Sequence, residues 1–372
     1  MRRSPNLVRR PSSPGLLGII SNVIDYLGSM RGSWRILLLV GMMIVALATT
    51  VMPGATEPDP SGGASDPKLA HGGMAAPGGP YASAPTLTPL PSPTPCCVKP
   101  PAIPTALPVS HLGNAPVRKP GTPDPEPSTQ HVVVVDGESG AILFHRNGFE
   151  PIAPASLTKI MTAILGIEHG NPSEKVKVDV SAKDFEDSTL MGLEPWFDVT
   201  LEDLLYGAML PSGNDAAVAI ARYVAGSEDL FVGLMNEKAR QLGLKSTHFA
   251  NPHGLDEANH YSSPYDMATL ARYGMQYPLF RELAAATSYD ISRSNIAYTI
   301  ENLNPLLWAY PGADGVKIGY TEDAGRAIVA SATQDGHQIF VAFMRSEAGL
   351  VPDATVLFDW AFNSFDWQVS SP

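Results

Sequence analysis

Residues 154–167 read PASLTKIMTAILGI, and this stretch fixes both the start of a helix and the first candidate chemistry. The apolar spacing after Pro154 predicts a helix from Ser156 through Ile167. At a separation of three, Ser156 and Lys159 share one face of it. A serine hydroxyl is a poor nucleophile until a base takes its proton, and a lysine can do this only when neutral. Lowering its pKa from about 10.4 to about 7–8 costs roughly 4 kcal/mol, within the reach of burial and a second cation. Free N–H groups at a helix start also favour an oxyanion. Alone, Ser-x-x-Lys is a weak signal: Ser65 and Lys68 repeat it in a Pro-rich setting.

Outward from this helix the pattern is strands, helices, strands. His131–Val135 and Ala141–Phe144 are β-branched or apolar runs around Asp136, Gly137, Ser139 and Gly140, which reads as a hairpin. Leu201–Leu210 and Ala216–Val224 have helical spacing, and Ser263-Pro264-Tyr265-Asp266 reads as N-cap, first-turn proline and capping acid. Ala327–Thr333 and Gln338–Met344 flank the turn Gln334-Asp335-Gly336-His337, and Asp353–Phe362 closes the chain as a helix. The expectation is an α+β fold: one antiparallel sheet built from both ends of the domain, with covering helices and a mostly helical subdomain.

The N-terminal third is different. Residues 36–52 (ILLLVGMMIVALATTVM) carry no charge and are about the minimum length for a membrane span. Six arginines precede them and Glu57, Asp59 and Asp66 follow, so residues 1–35 form a basic cytoplasmic tail and the rest lies outside. Ala46-Leu47-Ala48 resembles a signal-peptide cleavage site, but an n-region of about 35 residues is long for one, which favours an uncleaved anchor. Leu16, Leu17, Ile19, Ile20, Val23, Ile24 and Leu27 read equally as an interfacial helix or an apolar tail. Residues 53–128, rich in Pro, Ala, Gly, Ser and Thr, read as a disordered or semi-extended spacer. The catalytic domain is expected over residues 129–368. Cys96 and Cys97, the two cysteines, adjoin each other in the spacer, so that domain has no disulfide; the pair is incidental or an intermolecular link. A net charge of −12 argues against a nucleic-acid partner.

Two further motifs join Ser156 and Lys159. Ser212-Gly213-Asn214 follows Leu210-Pro211 and precedes a helix, which puts a hydroxyl and an amide on a loop beside a cleft. Lys317-Ile318-Gly319 lies between Gly312, Gly315 and the final strands, where a sheet edge can set a cation and a bare backbone, at Gly319, against a bound peptide. In this order SxxK, SxN and KxG resemble the signature of serine penicillin-recognising enzymes. Residues 133–164, 199–221, 235–255 and 312–336 extend the likeness over nearly the whole domain, which resembles the D-alanyl-D-alanine carboxypeptidase family, the low-molecular-mass penicillin-binding proteins.

That resemblance implies a β-lactamase/DD-peptidase-like fold, no cofactor, a peptidoglycan stem peptide ending in D-Ala-D-Ala as substrate, and β-lactams as covalent inhibitors. It implies Ser156 as nucleophile, Lys159 as its base, and Ser212 as proton relay to the departing amine. Asn214 would orient Lys159 and the substrate backbone, and Lys317 would face the substrate carboxylate and help keep Lys159 neutral. The chain departs from the pattern at Ile318, where the family usually has threonine. It departs again near Val351-Pro352, where the family tends to carry an arginine and Arg345 and Arg326 are the nearest substitutes. A lost charge-assisted hydrogen bond of about 1.5–3 kcal/mol would impair turnover without abolishing it.

Two other readings are weighed. A serine β-lactamase needs a base for the deacylating water, for which Glu301 is the suggestive carboxylate; a non-catalytic wall scaffold would explain Ile318 and the missing arginine. His248, His253 and His260 with Asp256 do not suit one helical face, and no metal site is assigned to them.

Overall fold

The computed structural model describes residues 115–185 and 188–367. The basic tail, the candidate anchor at 36–52, Ser65, Lys68, both cysteines and the spacer as far as 114 lie outside the described residues. Among the described residues no helix is long and apolar enough to cross a membrane.

In chain order the elements are β1 (Val117–Arg118), β2 (His131–Asp136), β3 (Ile142–Arg146), α1 (Lys159–His169), β4 (Lys175–Lys177), β5 (Asp198–Thr200), α2 (Leu201–Met209) and α3 (Asn214–Ala225). Then come α4 (Glu228–Gln241), α5 (Pro264–Gly274), α6 (Pro278–Ala285), β6 (Ser288–Ser292), β7 (Ala297–Glu301) and α7 (Leu306–Ala309). The chain ends in β8 (Ala313–Thr321), β9 (Gly325–Gln334), β10 (His337–Ser346), α8 (Leu350–Ser364) and β11 (Phe365–Asp366). The main sheet is antiparallel in the order β3-β2-β10-β9-β8, so the first strands of the domain pair with the last.

Both faces of this sheet are covered, which is why its strands read as continuous apolar runs. Val133, Val135, Val329, Phe340 and Ala342 pack into a core with the central helices, whereas Val132, Val134, Ile328, Val341 and Phe343 pack against Leu357 and Phe358 of α8. Burying side chains such as these contributes about 1.5–3 kcal/mol each. The β9–β10 turn is Asp335-Gly336 alone, with φ of 50° and 83°; both residues are left-handed, as a two-residue turn matched to strand twist requires.

Three local expectations are corrected. The helix at Ser156 begins as a 3-10 turn over Ala155–Thr158, and α1 proper starts at Lys159. Ser263 caps α5 by accepting the Asp266 N–H, but the Asp266 carboxylate accepts from Ser246 N–H and Thr247 Oγ1 instead of returning to the cap. Gly315 lies inside β8 and not ahead of the strands, while Lys317 sits on the sheet-edge strand as expected.

The end of the Pro-rich stretch is also strapped to the domain. β1 pairs with β11, Trp360 Nε1 donates to the Pro123 carbonyl at 2.7 Å, and Ser128 donates twice to Asp353, at 2.7 and 2.6 Å. Composition carries no trace of these bonds, because they are made to residues more than two hundred positions away.

Candidate active site

Pro154 leads into the turn that carries Ser156, and Ala155 takes a left-handed φ of 49° to enter it. The loop ending in Gly254 presses on this turn: a Cβ on Gly254, itself at φ 97°, would stand 1.9 Å from the Ala155 carbonyl oxygen. Glycine is required there on both counts. The loop is held by Asn251 Oδ1, which accepts the Gly254 N–H at 2.7 Å, and by Thr162 Oγ1, which donates to the Pro252 carbonyl at 2.6 Å. A 3-10 turn eclipses positions i and i+3, which aims the Ser156 and Lys159 side chains at each other.

Lys159 opens α1 with none of its surface exposed. Its Nζ lies 2.9 Å from Ser156 Oγ, 2.6 Å from Asn214 Oδ1 and 2.7 Å from the His253 carbonyl oxygen. Burial is the first cause holding its pKa well below the usual lysine range, and the charge of Lys317 lowers it further against the opposing pull of Asp215. A neutral amine has two N–H groups and one lone pair. The amide and peptide oxygens can only accept, so they take the two N–H groups, and the lone pair is left facing the Ser156 hydroxyl.

Asn214 is the first residue of α3, and Ser212 sits two residues earlier in the left-handed region at φ 62°. Such a conformation costs on the order of 1–3 kcal/mol and collects at functional sites. Ser212 is 3 % exposed and its Oγ has no hydrogen-bond partner among the described residues. A neighbour absent from the motif reading organises this loop: the buried carboxylate of Asp215 accepts the N–H groups of Met191, Gly192 and Leu193, each at 2.8 Å, and fixes the segment bearing Ser188 and Thr189.

The third wall is β8, the edge strand of the sheet, whose outward N–H groups have no ladder partner. Lys317 is buried, which pushes its pKa down to about 7, and its Nζ donates to the Ile318 carbonyl at 3.1 Å. Gly319 lets the strand approach the nucleophile turn: a Cβ there would lie 3.0 Å from Ser156 N and 3.1 Å from Ala155 Cβ. Ser156, Ser212, Asn214 and Gly319 line one cleft of about 640 Å³. Its lining also includes the apolar Leu303, Ile318, Leu350, Val351 and Pro352, and Arg326 is the cation in it.

Residues weighed above as alternatives fall elsewhere. Glu301 ends β7, paired with Ser288, and does not line the cleft. Arg345 donates to the Asp323 carbonyl and lines a different, polar cavity. His260 accepts the Ala250 N–H at Nδ1 and lies 2.8 Å from Thr158 Oγ1 through Nε2; burial lowers its pKa to about 4 and that of His253 to about 3. His248 Nδ1 contacts the Asn259 carbonyl, and Asp256 accepts from Thr321 Oγ1. Each of these groups is engaged in tying loops together.

An α-helical layer and an antiparallel sheet that meet at a serine, with a buried amine turned to its hydroxyl and a free strand edge beside it, define the serine acyl-transfer type of site. The family model described as D-alanyl-D-alanine carboxypeptidase matches residues 118–348, and the chain belongs to that family. It is 37 % identical over 243 residues to the D-alanyl-D-alanine carboxypeptidase DacF of Bacillus subtilis, covering 63 % of this chain and 62 % of that protein. It is 36 % identical over 260 residues to DacA of Escherichia coli, covering 65 % and 62 %. The chain thus spans somewhat under two thirds of these curated relatives. Among solved structures, the Streptomyces K15 DD-transpeptidase superposes with a TM-score of 0.61 at 29 % identity, covering 65 % of this chain and 99 % of that one. Penicillin binding protein 6B of Escherichia coli gives 0.60 at 35 %, covering 65 % and 80 %.

Proposed function

We propose that this chain is a serine D-Ala-D-Ala carboxypeptidase that removes the terminal D-Ala from peptidoglycan stem pentapeptides through an acyl-enzyme on Ser156. The observation that carries the reading is the fully buried Lys159, with two acceptors occupying its N–H groups and its lone pair left to Ser156. In the first step the hydroxyl proton passes to Lys159 Nζ as Oγ bonds to the carbonyl carbon between the two D-alanines. The carbonyl electron pair moves onto its oxygen, stabilised by the Ser156 N–H and an outward N–H of β8. Collapse breaks the C–N bond, and the proton travels from Lys159 through Ser212 to the departing amine. Water then attacks the ester, gives its proton to Lys159, and Oγ leaves with that proton restored. Asn214 keeps Lys159 oriented, Lys317 supplies positive charge on the carboxylate side, and Gly319 admits the substrate backbone.

The same reading makes β-lactams covalent inhibitors of Ser156. It places the domain outside the cytoplasmic membrane, anchored by residues 36–52 and spaced by the Pro-rich segment, which suits a substrate lying in a wall above the bilayer. The support is the uncharged run and the arginines before it.

The test incubates the full-length chain with a labelled penicillin and, in parallel, with an N-acylated peptide ending in D-Ala-D-Ala. Lasting label on Ser156, none in Ser156→Ala, and release of D-Ala are expected. Rapid penicillin hydrolysis would instead mark a β-lactamase, and label without D-Ala release a scaffold; either refutes the carboxypeptidase.

A further inference from the structure

Resting on the carboxypeptidase reading, we infer that Arg326 is the residue that holds the substrate's terminal carboxylate in this chain. β9 places Arg326 directly across from Tyr320, two positions beyond the Ile318 that offers no hydroxyl, and cross-strand partners project to the same side. Tyr320 and Arg326 both line the cleft that contains Ser156. Arg326 is exposed and has no ion pair or hydrogen bond among the described residues, so its fork of donors is free.

The rest of the cleft lining offers a carboxylate no other side-chain cation. Leu303, Ile318, Leu350, Val351 and Pro352 are apolar, and Lys317, though charged in part near neutrality, is buried, does not line the cleft and spends a donor on the Ile318 carbonyl. Placing a carboxylate against such a wall is costly unless a charged donor meets it. A guanidinium satisfies both oxygens through two parallel bonds, which a point cation on the buried side cannot do. Arg345, the other arginine near the closing helix, is spoken for by the Asp323 carbonyl and opens onto a separate cavity. Arg326 therefore selects for a free C-terminus, and the apolar wall accepts the side chain of the leaving residue.

The experiment compares the full-length wild type with Arg326→Gln, Arg326→Lys and Arg345→Gln on two N-acylated peptides ending in D-Ala-D-Ala, one a free acid and one a C-terminal amide. Arg326→Gln is expected to lower kcat/KM on the acid about ten- to a hundredfold and to change the amide less than about twofold. Arg326→Lys should recover part of the loss, and Arg345→Gln should keep the wild-type preference. The acid-to-amide ratio is insensitive to the fraction of folded protein, so a loss of folding cannot mimic the result. Equal losses on both peptides, or an unchanged ratio in Arg326→Gln, overturns the assignment while the wild type still releases D-Ala. A wild type that releases no D-Ala, whether or not it takes up penicillin, overturns the parent reading and this one with it.

Discussion

Asp215→Asn separates the two jobs this carboxylate performs. Oδ1 accepts the N–H groups of Met191 and Ala216, at 2.8 and 2.9 Å, and Oδ2 accepts those of Gly192 and Leu193, at 2.8 Å each. An amide keeps the shape but replaces one oxygen by an NH2 donor, so in one orientation the buried N–H groups of Met191 and Ala216 face a donor, and in the other the buried Leu193 N–H and that of the exposed Gly192 do. Water can reach the Gly192 N–H, so the amide settles in the second orientation and loses about 1–3 kcal/mol for the one buried orphan at Leu193, out of the 5–15 kcal/mol that holds a typical domain together. The charge acts the other way on the chemistry. Asp215 raises the pKa of Lys159, so its loss lowers that pKa further and extends the neutral amine to lower pH. Urea unfolding followed by tryptophan fluorescence should show the stability loss. Penicillin acylation against pH, measured where the variant is still folded, should show the acid limb displaced downward. A loss below about 1 kcal/mol would mean the 188–193 segment is held by something other than the carboxylate. An acid limb displaced upward would refute the electrostatic account.

Other expectations follow from the same geometry. Gly319→Ala puts a methyl 3.0 Å from Ser156 N and should cut the acylation rate at least tenfold, with a stability loss of about 1–3 kcal/mol; wild-type acylation would show that β8 does not pack on the nucleophile turn. Lys317, with its pKa near 7, should give kcat/KM a falling limb above neutrality that vanishes in Lys317→Met, and a pH profile shared by both would exclude it from the site. His260 has a folded pKa of about 4 against 6.5 when unfolded, so the unfolded chain takes up the proton first as pH falls. Stability is therefore lost between about pH 6.5 and 4, by about 3 kcal/mol at the lower end. Urea midpoints across that window should fall less steeply in His260→Gln, and equal slopes would contradict the assignment.

Much of this architecture was legible because it is local. Asp335-Gly336 between two apolar runs dictates a hairpin, and the spacing of Ser156 and Lys159 dictates a shared face whether the turn is α or 3-10. Family likeness supplied Ser212, Asn214 and Lys317, and the structure brings their segments to one cleft. What escaped is what depends on partners distant in sequence. Arg326 and Arg345 were equivalent substitutes on paper; only the cross-strand register of β8 and β9 directs one into the cleft, while Arg345 turns to Asp323. Asp215 follows the SxN motif directly, yet its importance lies in three N–H groups more than twenty residues upstream. Gly254 looks like any loop glycine until Ala155 is seen against it.

The two buried lysines show how one site can favour a neutral amine beside a second amine that keeps more of its charge. An ammonium taken out of water costs several kcal/mol, and two in one site repel as well, so the pair lowers its energy when one of them gives up its proton. Position decides which. Lys159 has two acceptors placed to take both N–H groups of a neutral amine, so losing its third proton strands no donor and turns a lone pair toward Ser156. Lys317 donates to a single peptide oxygen, and burial lowers its pKa to about 7, so it keeps part of its charge near neutrality. Environments that push two like groups apart in pKa assign their roles. The assignment here rests on three oxygen atoms around one nitrogen: two that can only accept and one that can give.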